Sequence, residues 1–314
     1  MKYSGIGGQA VMEGIMMKNA DEYAVAVRTA GGEIEIRKET YQAFSSKHAF
    51  AKLPFIRGVF SFVDSLVLGI RTLMWSASQT EDENGEKIEF SGGEMTWTMI
   101  IAILVAIGIF VVLPTVLSSL LKKWIANEVL LAFVEGVLRL GLFIAYVGLV
   151  SLSKDIKRTY MYHGAEHKCI NCVEHGLPLT VDNVMKSSKE HRRCGTSFLL
   201  IVMLISIVLF IIVRVDILPL KLLLRLLMIP VIAGISFEIL RLTGRVDNKF
   251  TYIISRPGMW MQALTTKEPT PEMCEVAIRA TEEVFDWRQF LRENDAEGEW
   301  SESPAPASEN APEG

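Results

Sequence analysis

The amino-acid sequence predicts a mainly α-helical integral membrane protein with four transmembrane helices and small soluble parts. Half of the 314 residues are hydrophobic, and the mean hydropathy is positive. The apolar residues concentrate in runs of roughly twenty, which is the length that an α-helix needs to cross a hydrocarbon core. The four runs are residues 97–120, 129–152, 197–215 and 219–240.

Lysine and arginine residues predict the orientation of these helices. The connection between the second and third runs, residues 153–196, is rich in both, and basic connections stay on the cytoplasmic side of a membrane. With four spans, both termini then lie in the cytosol. Lys122 and Lys123 in the preceding connection favour the opposite orientation, but they are outnumbered.

Residues 1–53 are predicted to form a cytoplasmic unit that contains a β-hairpin. The segment YAVAVRTAGGEIEIRKE alternates apolar and polar residues on both sides of Gly31 and Gly32, which is typical of two strands joined by a turn. The preceding stretch, GIGGQAVMEGIMMK, is rich in glycine. We interpret these glycines as turn residues, and the alternative is a bare backbone that approaches a ligand.

Residues 54–78 are predicted to form an amphipathic helix on the membrane surface rather than a fifth span. Arg57, Asp64 and Arg71 interrupt its apolar residues, and charges at these spacings suit an interfacial helix better than a transmembrane one. The other segments are an acidic linker at 79–96, the membrane domain at 97–240, a cytoplasmic C-terminal segment and helix at 241–294, and a disordered tail at 295–314.

Charge and cysteine usage narrow the class of protein. The net charge is −4 and no basic patch with interleaved aromatic residues is present, so nucleic acid is not an expected partner. The N-terminal residues lack an apolar segment of signal-peptide length, so the first span is expected to act as the insertion signal. Cys169, Cys172 and Cys194 lie in the cytoplasmic connection, where a reducing environment favours metal binding, catalysis or burial over disulfides.

The segment YHGAEHKCINC in this connection carries the strongest candidate site. His163, Glu166 and His167 form an H-x-x-E-H pattern. Positions four apart share one face of a helix, so both imidazoles can bind one divalent ion while Glu166 acts as general base on a water molecule. The pattern predicts a metal-dependent hydrolase site with zinc as the expected ion.

The third metal ligand is left open by the sequence. Cys194 and His191 lie three positions apart, just before the third run. Glu238 lies near the cytoplasmic end of the fourth run, where a carboxylate is costly unless it is paired or functional. The full set of candidates is Glu174, His175, His191, Cys194 and Glu238.

Cys169 and Cys172 support a different interpretation of the same segment. With the nearby histidines and Cys194 they offer enough soft ligands for a structural zinc knot that stabilises the connection. A redox pair is a third interpretation, although no thioredoxin-like βαβ pattern surrounds these cysteines.

Five sequence blocks carry a resemblance to a known family. They are GGQAVMEGIMMK, LPFIRGVFSFVDSLVLGIRTLMWSA, YHGAEHKCINCVE, RRCGTSF and SRPGMWMQALTTKEP, in this order. From about Gly5 to Pro271 the chain resembles domain of unknown function 1385, the YqhQ family of bacterial membrane proteins, described as predicted metal-dependent enzymes. The resemblance implies a location in the bacterial inner (cytoplasmic) membrane. It also adds Arg193, Cys194 and Gly195 to the expected functional surface.

We therefore expect a metal-dependent hydrolase at the cytoplasmic face of the membrane, acting on a peptide, a lipid or a phosphoester. The lipid bilayer is an expected partner, and the cytoplasmic parts could dock a protein. The rival hypothesis is a non-enzymatic adaptor or scaffold whose cytoplasmic loop is stabilised by structural zinc. A transporter is disfavoured because the four runs contain few polar residues and show no clear inverted repeat.

Overall fold

The computed structural model describes residues 3–80, 92–213, 215, 217–246 and 248–294. The predicted disordered tail at 295–314 and most of the predicted acidic linker at 79–96 lie outside these residues. The described part of the chain is mainly helical, with one small sheet near its N terminus.

The elements follow one another in a simple order. The strands are β1 (Gly7–Val11), β2 (Gly14–Asn19), β3 (Glu22–Arg28) and β4 (Ile34–Thr40). The first five helices are α1 (Phe44–Lys47), α2 (Ile56–Gln79), α3 (Gly92–Ile107), α4 (Leu113–Leu121) and α5 (Glu128–Val150). The remaining helices are α6 (Lys154–Glu174), α7 (Val181–Lys186), α8 (Gly195–Ile212), α9 (Leu218–Leu227), α10 (Ile229–Arg245), α11 (Lys249–Thr265), α12 (Pro271–Val284) and α13 (Trp287–Asn294).

The N-terminal sheet is larger than the single predicted hairpin. It is an antiparallel meander with strand order β1-β2-β3-β4, in which β3 and β4 form the predicted hairpin around Gly32. The glycine-rich stretch forms β1 and β2, so the interpretation of its glycines as turn residues alone was wrong. Gly14 lies in β2, and a Cβ atom there would lie 2.2 Å from the Ala26 carbonyl oxygen on β3. Close backbone packing therefore excludes a side chain at this position.

The sheet lies between helices on both of its faces. One face packs on α6 and α12, and their shared core includes Ile15, Met17 and Ala26 from the strands. The opposite face, with Tyr23 and Val25, packs on Leu68 of α2. The sheet therefore links α6, α12 and α2 into one unit.

Within the described residues, five helical segments are long and apolar enough to cross a membrane. They are Ile56–Gln79, Thr96–Leu121, Glu128–Val150, Gly195–Ile212 and Leu218–Gly244. Four of them coincide with the four predicted runs. The additional candidate, Ile56–Gln79, is α2, which the sequence predicted as an interfacial helix.

The join between α3 and α4 shows how a proline is accommodated inside a membrane helix. A π-helical turn, Gly108–Val112, connects the two helices just before Pro114. Proline has no N–H group, so Pro114 cannot donate the usual helical hydrogen bond to the carbonyl oxygen of Phe110, four residues earlier. The Arg139 Nε–H donates to that carbonyl oxygen at 2.8 Å. A charged side chain from α5 therefore replaces the missing helical hydrogen bond.

A buried ion network joins the membrane helices around Glu135. Its side chain is 1% exposed. Both carboxylate oxygens accept hydrogen bonds or form ion pairs with hydroxyl and cationic groups from three helices. The donors are Thr115, Ser118, Arg139, Lys221 and Arg225, each 3.0–3.1 Å from a carboxylate oxygen.

The helix of the second apolar run does not continue into the residues that follow it. The α5 helix ends at Val150 and α6 begins at Lys154. The α6 helix continues through Gly164 without interruption. Because of this break at 151–153, α6 need not follow the axis of α5, and its His163 contacts Cys194 at the start of α8.

Two more differences concern the C-terminal segment. Residues 249–265 form the helix α11, which packs on α8. The predicted single helix after Thr270 is two helices, because Phe285 between α12 and α13 has extended dihedral angles.

At Gly164, α6 packs directly against the backbone of Lys267. We expect Gly164→Ala to lower the free energy of unfolding by about 1–3 kcal/mol. A Cβ atom at this position would lie 2.0 Å from the Lys267 carbonyl oxygen. Thermal unfolding of the detergent-solubilised protein measures the effect. The matched control is Gly148→Ala in α5, where a Cβ atom meets nothing within 4 Å and alanine favours the helix. Equal melting temperatures for the two variants would contradict this close packing.

Candidate functional site

Two helices bring three of the predicted ligands together. His163 and His167 are four residues apart on α6, and their ring centroids are 4.4 Å apart. Cys194 is the N-cap residue of α8 and is 5% exposed. One donor atom from each of these three residues lies within 4.8 Å of the other two. The His163 Nε2 and Cys194 Sγ atoms are 3.1 Å apart.

Backbone carbonyl groups fix both imidazole rings. The Nδ1 atom of His163 lies 2.8 Å from the Thr265 carbonyl oxygen, and that of His167 lies 2.6 Å from the Lys189 carbonyl oxygen. A carbonyl can only accept a hydrogen bond, so each Nδ1 carries the hydrogen. Each Nε2 of a neutral ring is then left with a free lone pair. Metal-binding histidines are commonly oriented in this way.

Glu166 lies beside the three donors and is buried. Burial raises the pKa of its carboxyl group, although His167 and His163 oppose this shift. A hydrogen bond from the Gly8 backbone also reaches the carboxylate. A Cβ atom on Gly8 would lie 3.0 Å from Glu166 Cγ and 2.7 Å from the Met16 carbonyl oxygen. The glycine of β1 therefore leaves room for the glutamate side chain.

The electrostatic environment favours a thiolate at Cys194 and a protonated imidazole at His163. Burial alone raises the pKa of the Cys194 thiol, but His163 and His167 bring it well below its usual value. Burial lowers the pKa of His163, yet the charges of Cys194 and Glu166 raise it to about 9. A negative sulfur atom next to two imidazole rings is thus the stable arrangement here.

His191 lies at the edge of this cluster. Its ring centroid is 5.5 Å from that of His167, and burial lowers the pKa of its imidazole. Both backbone groups of His191 are bound by Gln262, whose amide donates to the carbonyl at 2.6 Å and accepts from the N–H at 2.9 Å. Gln262 therefore holds the segment before α8 in position.

An ion pair fixes the same segment from the other side. Arg193 donates to the buried carboxylate of Glu174, which also accepts from the Ser4 hydroxyl at 2.8 Å. Burial tends to raise the pKa of Glu174, but these partners and His191 lower it to about 2. The N terminus, the end of α6 and the RRCGTSF block are connected through this one carboxylate.

The other predicted ligands lie elsewhere. Cys169 and Cys172 point into the core shared with the sheet and α12. The Cys169 Sγ atom lies 3.2 Å from the Thr281 hydroxyl, and that of Cys172 lies 3.3 Å from the Pro178 carbonyl oxygen. Burial raises the pKa of both thiols. Glu238 binds Arg57 of α2 at 2.7 Å.

Sequence reasoning missed the residues that support the site. Thr265 and Lys189 act through backbone carbonyls, which any residue type supplies, so no side-chain pattern identifies them. Gly8 and Gln262 lie in two of the blocks that carry the family resemblance. Those blocks were a signal, but they did not indicate a role.

The cluster lines one end of a cavity of about 660 Å³. Glu166, the two histidines of α6 and Cys194 form its polar end together with β1. Its other walls come from α2, α8 and α10, and they are mostly apolar. A cavity of this size accommodates a small molecule or part of a larger one.

The chemistry of the donors fits a zinc-type ion. Zinc binds imidazole nitrogen and thiolate sulfur, and catalytic zinc sites combine three protein ligands with one position for water or substrate. His163, His167 and Cys194 would supply three ligands facing a cavity. Glu166 lines the same cavity.

Comparison with known proteins places the chain in an uncharacterised group. The sequence profile of the family described as "Protein of unknown function (DUF1385)" matches residues 53–287. The "Uncharacterized protein YqhQ" of Bacillus subtilis (strain 168) is 33% identical over 300 residues, covering 92% of this chain and 94% of the relative. No solved structure matches the chain.

Proposed function

The chain belongs to the DUF1385 family of proteins of unknown function, and we propose that it is a metal-dependent hydrolase acting at the cytoplasmic face of the cell membrane. The observation that supports this most strongly is the convergence of His163, His167 and Cys194 beside the buried Glu166. Both histidines have their Nδ1 atoms bound to carbonyl groups, so Nε2 is the atom left on each ring to bind an ion. At His163 the ion would replace the proton that Nε2 shares with Cys194.

The residues of the chain divide the work of hydrolysis. The carbonyl groups of Thr265 and Lys189 hold the two imidazoles in one tautomer. Glu166 accepts a proton from the attacking water and then delivers it to the leaving group. Its burial keeps competing bulk water away and raises its pKa, which makes the carboxylate a stronger base. A divalent ion bound by the three ligands would lower the pKa of water and polarise the bond to be cleaved.

We propose that four helices cross the membrane and that α2 lies at its cytoplasmic surface. The strand β1 packs on α6, so both lie on the same side, and an even number of crossings must separate them. The intervening segments are α2, the α3–α4 unit and α5. Since α2 is the least apolar of the five candidates and packs on the sheet, it is the one that does not cross.

This topology predicts a pattern of cysteine labelling in intact cells. The four native cysteines are buried and should react slowly. Ala126→Cys, between α4 and α5, should react with a membrane-impermeant maleimide from outside. Lys47→Cys and Leu177→Cys should react only after the cells are permeabilised. Labelling of just one of these last two positions from outside would place the sheet and α6 on opposite sides and contradict the proposed topology.

The adaptor hypothesis has less support. A structural zinc knot needs Cys169 and Cys172 among its ligands, and both side chains pack in the core instead.

A second candidate function is a metal-free cysteine hydrolase. The 3.1 Å contact between His163 Nε2 and Cys194 Sγ favours it, because a paired thiolate is a nucleophile.

Metal content separates these functions. We expect about one zinc ion per purified chain by mass spectrometry, full retention in Glu166→Gln, and at least a tenfold loss of affinity in His163→Ala. The matched control is His175→Ala, an exposed histidine just after α6, which should keep its metal. A metal-free wild-type protein would exclude the metal-dependent hydrolase and favour the cysteine hydrolase.

A further inference from the structure

The cavity at the candidate site has two chemically different ends. Its polar end, with Gly8, Thr159 and Arg193, adjoins the histidines and Cys194. Its apolar end is formed by large hydrophobic side chains of the membrane-facing helices. These are Phe62 and Leu66 of α2, Phe198 and Leu199 of α8, and Phe237 and Leu240 of α10.

The apolar end reaches the surface that faces lipid. Leu66 and Leu199 line the cavity and are also 47% and 37% exposed. Both belong to helices that are apolar enough to contact the bilayer. The surrounding surface of α2 is apolar too, with Val63 and Val67 about half exposed. The mouth of the cavity therefore lies between an interfacial helix and the cytoplasmic ends of two membrane helices.

Close helix packing keeps α2 in place as one wall of the cavity. A Cβ atom on Gly58 would lie 2.7 Å from Phe237 Cβ, and one on Gly234 would lie 2.6 Å from the Phe55 carbonyl oxygen. The Arg57–Glu238 ion pair joins the same two helices. The wall is thus part of the fold, and the cavity is preformed.

We infer that the substrate is an acyl lipid of the bilayer, with its hydrocarbon chain in the apolar end and its cleavable bond beside the histidines and Cys194. Moving an acyl chain into water costs about 0.8 kcal/mol per methylene. A cavity that opens toward the bilayer avoids this cost, because the chain passes from one apolar environment to another. The cleavage part of this inference rests on the proposed hydrolase function; binding of the lipid does not.

The other substrate classes fit the cavity less well. A peptide would place backbone N–H and C=O groups against the apolar wall, where Ser61 and Ser65 are the polar side chains among the lining residues of α2. Buried peptide groups without partners are costly. A small soluble phosphoester would leave the apolar end empty. An acyl lipid uses both ends.

Photolabelling tests the inference directly. The full-length protein is reconstituted in phosphatidylglycerol vesicles that contain a phosphatidylglycerol with a diazirine at the end of one acyl chain. After irradiation, peptide mass spectrometry locates the labelled residues. We expect label on the cavity-lining residues Phe62 and Phe237. Label confined to outward-facing residues such as Val67 and Val208 would overturn the inference.

Blocking variants make this test specific. Leu240→Trp and, from the opposite wall, Ser65→Trp fill the apolar end and should each lower labelling inside the cavity at least tenfold. The matched control, Val67→Trp, adds the same side chain to the outer face of α2 and should leave it unchanged. Size-exclusion chromatography detects a variant that does not fold. Two blocking variants are used so that the test survives if one of them misfolds. Unchanged labelling in a folded blocking variant would overturn the inference.

The same experiment separates the lipid site from the proposed chemistry. Labelling is repeated on Glu166→Gln and on chelator-treated protein, because binding of the chain needs neither the base nor the ion. Labelled cavity residues in a protein that never binds metal would contradict the hydrolase and leave the lipid site standing. A metal-binding protein without label in the cavity would refute the lipid site alone.

Discussion

Replacing Glu166 by glutamine is expected to lower the rate of hydrolysis by about 10²–10⁴-fold while the metal content stays unchanged. Glutamine has nearly the same shape but cannot accept a proton from water, and general-base catalysis contributes a factor of this size. The side chain is not among the three donors that converge within 4.8 Å. The loss should therefore appear in the rate and not in the occupancy of the site.

The rate of hydrolysis can be measured without knowing in advance which bond of the lipid is cleaved. Zinc-loaded protein is incubated with vesicles of bacterial total lipid extract, and mass spectrometry follows the loss of parent lipids and the appearance of products. The matched control is Glu190→Gln, an exposed acid just before His191, which should keep the full rate. Equal rates for Glu166→Gln and the wild type would remove Glu166 from its proposed role.

The second large effect is expected in the membrane domain, where Glu135→Gln should lower the free energy of unfolding by about 3–5 kcal/mol. The carboxylate is the acidic partner of Arg139, Lys221 and Arg225 among the described residues. Removing its charge leaves these cations close together in a region of low dielectric constant. Buried charges without a counter-charge are far costlier than lost surface pairs.

Denaturation of the purified protein in mixed detergent micelles measures this loss. Glu128→Gln serves as the control, because Glu128 is 42% exposed and pairs with the exposed Lys122 at 3.7 Å. Surface pairs of this kind contribute roughly 0–1 kcal/mol. If both substitutions cost the same, the network around Glu135 does not stabilise the bundle in the way proposed.

Much of the architecture could be predicted because it depends on local patterns. The four apolar runs were visible in the sequence, and each corresponds to a long apolar helical segment. The alternation around Gly32 identified one hairpin. The strands β1 and β2 were missed, because Gly8 and Gly14 reflect close contacts with Glu166 and with β3 that no local pattern reveals.

Only the part of the candidate site that depends on local sequence, the pair His163 and His167, could be predicted. His163 and His167 lie one helical turn apart, so their proximity follows from helix geometry. The placement of Cys194 depends on the break at 151–153 and on the packing of α6 against the start of α8, which are long-range features. Cys169 and Cys172 are close to the same histidines in sequence, yet their positions on α6 face the core. Glu238 has the right chemistry, but Arg57 binds it elsewhere.

The central claim is that His163, His167 and Cys194 together bind one metal ion. X-ray absorption at the zinc edge tests it most directly. We predict two imidazole nitrogens at about 2.0–2.1 Å and one sulfur at about 2.3 Å from zinc, with the sulfur signal lost in Cys194→Ser. A shell with two or more sulfur atoms, or one unchanged in Cys194→Ser, would contradict the claim.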